Sequence, residues 1–587
     1  MRSMQTGSAQ RVDDDVLASE EGGSRWYAAG AVALAALLFL ARLGVRALWA
    51  SEGRWAEVVR EMVLNANYFW PTINGRLYYD KPLLSYWFIV AATWVTGGVN
   101  ETAARLPSAI FGLAGVVLII AMARQLYDRT TAALAGFILA TSFSYVFYSR
   151  HASADIETTT GVLAALMLFV WHRQRPDGWW VVWLWLVMAV TSLTKGLMGF
   201  ALPLMVLVLY SLLEEGSGTL YAQVTSGGLK EKWAWLSERL AWLLNLKTPF
   251  AIVAAAALYY LPFAVSNGRA HSEAGLYMVF RENVVRFFKP FDHRGPIYLY
   301  LYVLFGLMVP WCVFIPAALL EVHRKLRRGV DRAALGRADL FGVVYFWGTL
   351  AFFTISRSRR SYYLLPILPA TALVIARLLS QRAAELWAPA RRLMYLGYIV
   401  LAVALVGFGI GFLLPDSLRP ALLRPLPPSP ARLIFLFGWL ICLGSIWYVR
   451  RATSVRAVAI STAVVAYLAM FFLFIVAMPQ AEAYRYERSF ARAVRTNLDG
   501  NTGQLAFFRI WGPGLVYYLS MPAPVPLFNS SEQVADFAQS KGGAWVITRA
   551  KDVSDLKLNT ELSASEPEAA WDSPSENGSR YVLLRVK

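Results

Sequence analysis

Apolar residues run along this chain in long unbroken blocks instead of alternating with polar ones. Blocks of roughly 18 to 23 mostly apolar residues occupy 26–48, 106–123, 131–148, 155–171, 179–193, 196–213, 248–265, 297–320, 339–355, 361–379, 393–414, 431–449 and 457–478. Most are long enough to cross a bilayer as a helix, which predicts a polytopic α-helical membrane protein of about 13 transmembrane helices over 26–478. Two longer segments separate the blocks on one side, 49–105 and 266–296. Within the first, 53–64 has an amphipathic pattern and 83–96 is apolar but short, so both are expected to lie along the membrane–water boundary. After 478 the pattern changes. "LAFFRIW", "LVYYLS" and "AWVITRA" read as short strands and "SSEQVADFAQSKGG" as a helix ended by glycine, predicting a small α/β domain over 479–587. Residues 1–25 are polar and acidic and lack the apolar core of a signal peptide, so they are expected to form a disordered cytoplasmic tail before an uncleaved first span.

Composition agrees with the pattern: 57% of residues are hydrophobic and 16% charged, and mean hydropathy is +0.45. Cys312 and Cys442 both fall inside expected helices, which gives neither a disulfide framework nor a metal spacing. The net charge of +18 does not imply nucleic acid, because no basic patch alternates with aromatic residues on a soluble domain. It sets topology instead. With the amino terminus inside, the loops 124–130, 171–178, 321–337, 381–392 and 450–456 are cytoplasmic and rich in Lys and Arg, while the 214–247 insert is of mixed charge. An odd number of spans then leaves 479–587 outside a cytoplasmic (inner) membrane.

This topology places "TISRSRRSYYLLPILPA", residues 354–370, with Arg357, Arg359 and Arg360 outside, against the usual charge bias. Arg54, Lys81, Lys195, Arg281, Arg286, Lys289 and Arg294 fall near the same boundary. Such a set suits the phosphate of a lipid carrier, because Arg offers a planar donor fork and Lys a compact charge; the competing reading is contact with anionic lipids by snorkelling side chains. Glu52 and Asp155 fall on the same side and are candidates to take or steer an acceptor proton, yet both are also placed to favour a helix start, and Glu157 is an alternative to Asp155. Glu57 and Glu61 are expected on a solvated helix face, with Glu57 paired to Arg60 or Arg54. Asp80 either acts in the site or neutralises Lys81. His151 and His293 have no convergent carboxylates, so no metal site is read from them. The chain has no Gly-rich phosphate loop, zincin motif or nucleophile elbow, which argues against nucleotide-driven chemistry. No cofactor is read from the sequence, and a divalent cation is left open.

The stretches "EGRWAEVVREM", "YFWPTINGRLYYDKPLLSYW", "ARLPSAIFGLAGV", "TKGLMGFALP", "HRGPIYLYLYVLFGLMVPW" and "SRSRRSYYLLPILPA" resemble, in order, segments of the aminoarabinose lipid A transferase and protein mannosyltransferase superfamily. The resemblance covers roughly 30–480. It implies the C-type glycosyltransferase fold and a membrane enzyme that moves a sugar from a polyprenyl-phosphate donor to a lipid (lipid A-like) or protein acceptor, by inverting displacement, as a monomer. Lys81 matches the family's Lys-Pro lysine, Asp155 its second-loop acid and Lys195 its Lys-Gly lysine; Arg359 or Arg360 stands where the family commonly has a lysine. Donor phosphate binding is therefore expected from Lys81, Lys195, Arg357, Arg359, Arg360 and Arg54, catalysis from Glu52 and Asp155, and acceptor contact or support from Asp80, Tyr79, His293, Arg294 and Tyr362. One departure stands out: Ser51-Glu52 occupies the place of the family's Asp-Glu pair. A carboxylate base is thus missing at 51, and either Glu52 or Asp155 must carry more of that role.

The competing class is a transporter or flippase of an anionic polyprenyl-phosphate lipid. That would call for polar residues deep in several helices and paired repeats, whereas the charges here gather at one boundary.

Overall fold

The computed structural model describes residues 26–49, 51–173, 178–215, 228–270, 274–289, 294–327, 334–414, 430–452, 454–480, 486–565 and 580–586. The expected tail at 1–25 and the site candidate His293 lie outside the described residues. Packing divides the chain into two units: Met1–Ala41, Ser108–Asn267 and Ser272–Ala477 in one, Arg42–Pro107, Gly268–His271 and Met478–Lys587 in the other.

The first unit is helical. Among the described residues of the chain, seven helices are long and apolar enough to cross a membrane, or nine if two bent pairs each count as one span. The bent pairs are Arg129–Ala140 with Phe143–Ser149, at 65°, and Leu299–Leu307 with Trp311–Arg327, at 119°. The remaining expected spans are helical too, but shorter or more polar: Trp26–Leu40, Asp155–His172, Trp180–Lys195 and Met198–Leu213. Length and composition therefore support fewer full crossings than the hydropathy blocks suggest.

Small residues set the packing of this unit. A methyl added at Gly199 would lie 2.5 Å from the Ser192 amide nitrogen, and one added at Gly161 would run into Thr191, so the helices from Asp155, Trp180 and Met198 approach closely. The Thr158 and Thr194 hydroxyls meet at 2.8 Å across this seam. Arg150 donates to the carbonyls of Leu38, Phe39 and Ala41, satisfying orphan acceptors at the end of the first helix.

The second unit combines the first external segment with the carboxy-terminal region, where the sequence reading places the former with the spans and the latter by itself. It holds a hairpin of β1 (Thr72–Ile73) and β2 (Arg76–Leu77), then β3 (Leu505–Phe508), β4 (Leu527–Phe528), β5 (Ala544–Arg549), β6 (Thr560–Ser565) and β7 (Tyr581–Val586). The larger sheet runs β4-β3-β5-β7-β6, with β3 parallel to β4 and β5, and β7 antiparallel to β5 and β6. Side chains alternate along it: Leu505, Phe507, Ile547 and Leu583 enter one core with Phe490 and Leu515, while Phe508, Val546, Val582 and Leu584 enter another with Val534 and Ala538. Helices thus cover both faces, as parallel pairs require.

"LVYYLS", expected as a strand, is the end of a helix, Pro513–Leu519. Pro513 at its start suits the first helical turn, and Ser520 in the left-handed region closes it. The helix expected before Gly542 is Ser531–Lys541, capped by Ser530 and ended by Gly542 at φ 69°.

Two contacts join the external segment to this sheet domain inside the unit. The Asn74 amide donates to the Val525 carbonyl at 2.8 Å and accepts from its N–H at 2.7 Å, acting as a strand neighbour would. Gly53 sits on Gly514, where an added methyl would come within 2.8 Å of the Gly514 nitrogen. The face of the helix Glu52–Leu64 expected to be solvated is buried here. Glu57 is inaccessible and bidentate to Arg60 at 2.7 and 2.8 Å, while Glu61 holds the Thr72 hydroxyl and the Gly75 N–H of the hairpin. Burial pushes the Glu57 carboxyl up to about 7, against the pull of Arg60.

Candidate functional site

In the helical unit the chemistry gathers around Lys195. This residue ends the helix Trp180–Lys195, and Asp155 opens the helix Asp155–His172. The close packing of those helices brings the Lys195 ammonium onto Asp155 Oδ1, with both side chains mostly covered, at 15% and 11% exposure. The ammonium also lies 5.2 Å from the Tyr362 ring centre and 5.1 Å from that of Tyr363, rings set edge to face with centroids 5.0 Å apart. Tyr148 stands against Tyr362 at 6.1 Å, and the Arg360 guanidinium lies 6.0 Å from the same ring. The result is a lysine caged by a carboxylate and two aromatic faces, with a second, exposed cation at the rim.

The arginines of the 354–370 stretch have separate fates. Arg359 donates to the carbonyls of Gly295 and Thr354, each at 2.8 Å, and so ties its loop to the segment before the helix Leu299–Leu307. An isolated bridge between Arg294 and Ser358 continues that tie. Arg357 and Arg360 are exposed. Arg294, expected as a supporting residue, is exposed and joins through its backbone.

In the other unit, Glu52 is engaged on both oxygens. Arg105 Nε donates to Oε1 at 2.7 Å and Nη2 to Oε2 at 2.8 Å, while the Trp49 N–H reaches Oε2 at 3.0 Å. The remaining Arg105 donors reach the carbonyls of Leu43, Arg46 and Ala47. The pair is nearly inaccessible, at 4% and 2% exposure. A carboxylate so enclosed has little to offer an incoming acceptor, whatever its place in the first helical turn. Elsewhere in this unit, Asp80 lies between two cations: Lys81 Nζ at 3.2 Å and Arg54 Nη1 at 3.7 Å, with Arg54 also donating to the Tyr78 hydroxyl at 2.7 Å. Tyr79 packs edge to face on Trp70, with ring centroids 6.3 Å apart.

Among the described residues no group of three or more His, Cys, Asp or Glu side chains converges as metal ligands. His151 instead stacks on Phe147, centroids 5.4 Å apart.

The sequence reading did not single out Arg105, Tyr363 or Tyr148. The "YY" after the arginines and the "FYSRHASAD" before Asp155 were the available signals for the tyrosines. Arg105 lies in the resembling stretch "ARLPSAIFGLAGV", but as a single cation within the polar start of an otherwise apolar helix it showed no partner in sequence.

Comparison with known proteins gives the ancestry. Residues 80–229 match the model of the dolichyl-phosphate-mannose-protein mannosyltransferase family. The undecaprenyl phosphate-alpha-4-amino-4-deoxy-L-arabinose arabinosyl transferase of Erwinia tasmaniensis is 27% identical over 355 residues, covering 58% of this chain and 57% of that protein. The Pseudomonas aeruginosa transferase of the same name is 27% identical over 385 residues, 63% of each. The crystal structure of ArnT from Cupriavidus metallidurans bound to undecaprenyl phosphate superimposes with a TM-score of 0.69 and 22% identity, covering 94% of this chain and 97% of that one. The chain is thus similar in sequence to aminoarabinose transferases and, over 80–229, to the protein mannosyltransferase family, and it shares the fold of ArnT. It is a multi-pass membrane protein with the ArnT fold, which the apo form of the same protein matches at a TM-score of 0.68 with 20% identity, over 97% of this chain and 98% of that one. By sequence the chain matches about 60% of the length of its curated relatives.

Proposed function

We propose that the chain is an integral membrane glycosyltransferase that moves a sugar from a polyprenyl-phosphate donor to an envelope lipid, lipid A-like, at the outer face of the cytoplasmic membrane. The observation that carries this reading is the Lys195 cluster, a caged ammonium with Arg360 at its rim, both cations suited to a lipid-linked phosphate. Relatives bearing the name of an undecaprenyl-phosphate aminoarabinose transferase support the donor class.

The reaction needs few parts. An acceptor oxygen attacks the anomeric carbon from the face opposite the phosphate; the new C–O bond forms as the old one breaks, and the polyprenyl phosphate leaves with the electron pair, inverting the configuration. Charge grows on that phosphate. Fixed cations stabilise it at little reorganisation cost, and such electrostatic stabilisation usually lowers the barrier more than any other effect. Lys195 and Arg360 supply it here, while Asp155 and the two tyrosine faces hold Lys195 in place. In the other unit, Asp80 holds Lys81 and Arg54, two more cations of the kind that binds phosphate. An acceptor phosphate arrives ionised and requires no base, which accommodates Ser51 in place of a carboxylate. Glu52 serves as the buried anchor of Arg105.

The test is transfer of radiolabelled sugar from a panel of polyprenyl-phosphate sugars to extracted envelope lipids, by full-length protein in lipid, beside Lys195→Ala and Asp155→Asn. Label reaching a lipid with the wild type and falling at least a hundredfold in either variant supports the assignment. A wild type that transfers nothing from any donor, yet carries a fluorescent polyprenyl phosphate across the bilayer, would make the protein a flippase.

A further inference from the structure

Lys195 is only as well placed as the turn that follows it. Its helix stops there, Gly196 takes φ 123° and ψ −171°, and the next helix begins at Met198. That backbone region is open essentially to glycine alone. The Gly196 N–H closes the first helix on the Ser192 carbonyl at 2.8 Å and the Leu197 carbonyl opens the next, accepting from Phe200 and Ala201 at 3.0 Å, but the Leu197 N–H is met from a distant part of the chain. Asn283 Oδ1 accepts a hydrogen bond from the Leu197 N–H at 2.7 Å, although 86 residues separate them. The same amide fills the space where a Gly196 side chain would stand: an added methyl would lie 3.0 Å from Asn283 Cγ and 3.1 Å from Nδ2. Gly196 is therefore required twice, by its dihedrals and by the side chain lodged against it.

Asn283 belongs to a π-helical turn, Phe280–Val285, where one extra residue widens the ring of backbone hydrogen bonds. The ion pair of Glu282 with Arg286 braces that turn along its own axis.

We infer that Asn283 is a positioning residue for Lys195: its amide fixes the Lys195–Gly196–Leu197 turn and so holds the ammonium against Asp155 and the Tyr362 and Tyr363 rings. The inference rests on the reading of the Lys195 cluster as the donor-phosphate site. Asn283 acts through the lysine, so its effect is conditional on the lysine being there. An ordinary helix cap stabilises its helix whatever residue stands at 195.

The test uses Asn283→Leu, which keeps the shape and removes the acceptor, in full-length protein reconstituted in nanodiscs, with radiolabelled undecaprenyl phosphate as the probe. Asn283→Leu is expected to weaken binding roughly tenfold in the wild-type background and to add nothing in a Lys195→Ala background, the signature of coupled residues. A similar loss in both backgrounds, or none in either, would overturn the inference. A second readout needs no lipid. Acylation of Lys195 by an amine reagent, followed by mass spectrometry, is expected to run several-fold faster in Asn283→Leu, where the ammonium leaves its cage, and no faster than wild type in Asn283→Asp, which retains the acceptor. Equal rates in wild type and Asn283→Leu, or an Asn283→Asp rate as high as that of Asn283→Leu, would also overturn it. If wild-type protein fails to bind the lipid phosphate at all, the transferase reading falls, and the acylation rates still decide the role of Asn283.

Discussion

Replacing Glu52 by Gln separates an anchor from a catalyst. In the folded unit Arg105 uses its donors on two Glu52 oxygens, at 2.7 and 2.8 Å, and on the carbonyls of Leu43, Arg46 and Ala47, at 2.8 to 2.9 Å, with only 4% of its side chain accessible. Gln keeps the shape, so no cavity opens. It keeps one acceptor, turns an NH2 group toward the guanidinium, and leaves the buried Arg105 charge without its hydrogen-bonded carboxylate, with Glu101 as a more distant acid. A charge-assisted hydrogen bond contributes roughly 1.5 to 3 kcal/mol, and breaking a buried pair costs about 3 to 5 kcal/mol. The retained acceptor and the three carbonyls soften the loss, so about 3 kcal/mol is expected, equivalent to a fall of roughly 6 to 12 °C in the melting of a unit this size. The assay is thermal unfolding followed by tryptophan fluorescence, paired with sugar transfer per folded molecule at a temperature where the variant is folded. An anchor loses stability and keeps turnover within about tenfold, whereas loss of a general base costs roughly a hundredfold or more. A variant that melts like the wild type yet transfers nothing would refute the reasoning and return Glu52 to the reaction.

Further outcomes follow from the same geometry. Arg360→Ala, at an exposed site, is expected to leave the melting temperature unchanged and weaken polyprenyl-phosphate binding, with a difference from wild type that shrinks as salt rises. Arg359→Ala removes two bonds to backbone carbonyls and is expected to destabilise its unit by roughly 1 to 3 kcal/mol, measured by denaturant or thermal unfolding. Asn74→Ala breaks both bonds to Val525 at a position only 6% exposed, for an expected loss of roughly 2 kcal/mol in unfolding of the unit that holds them. Burial pushes the Glu487 carboxyl up from 4.5 to about 7, so the folded unit retains a proton that the unfolded chain releases. The associated stability is fully present below about pH 4.5 and is lost as pH rises through about 7. Glu487→Gln should therefore match the wild type in stability near pH 4.5 and exceed it at pH 8, by roughly 3 kcal/mol, and equal melting at both values would contradict that burial.

Much of the architecture was legible in one dimension because hydropathy is a local sum. Every apolar block proved largely helical, though the first ends at Leu40, and the strands "LAFF" and "AWVITR" and the glycine-ended helix before Gly542 lie where pattern and turn chemistry put them. The misread "LVYYLS" shows the limit of a short apolar run, whose period cannot separate strand from buried helix; Pro513 and a left-handed Ser520 decided it. Bending was likewise invisible, since a block interrupted by a break of a few residues has the same hydropathy as a straight span.

The candidate site divides in the same way. Residue types and their order marked Lys195, Asp155 and the Arg357 to Arg360 stretch, because a lysine or arginine at the edge of an apolar block needs a reason that a single position already displays. Partners were another matter. Glu52 was equally a base or a helix-start residue in sequence, and only Arg105, 53 positions away, made it a buried anchor. Glu57 and Glu61 had helical spacing that suits a solvated face, until the packing of Gly53 on Gly514 buried their helix. Asp155 and Lys195 are 40 residues apart, and two tyrosines complete their cage from beyond position 360. Apolar content and charge bias act along the chain and can be summed from the sequence. Ion pairs and hydrogen bonds act over about 3 Å, a distance that sequence separation does not encode and that only the folded helices bring about.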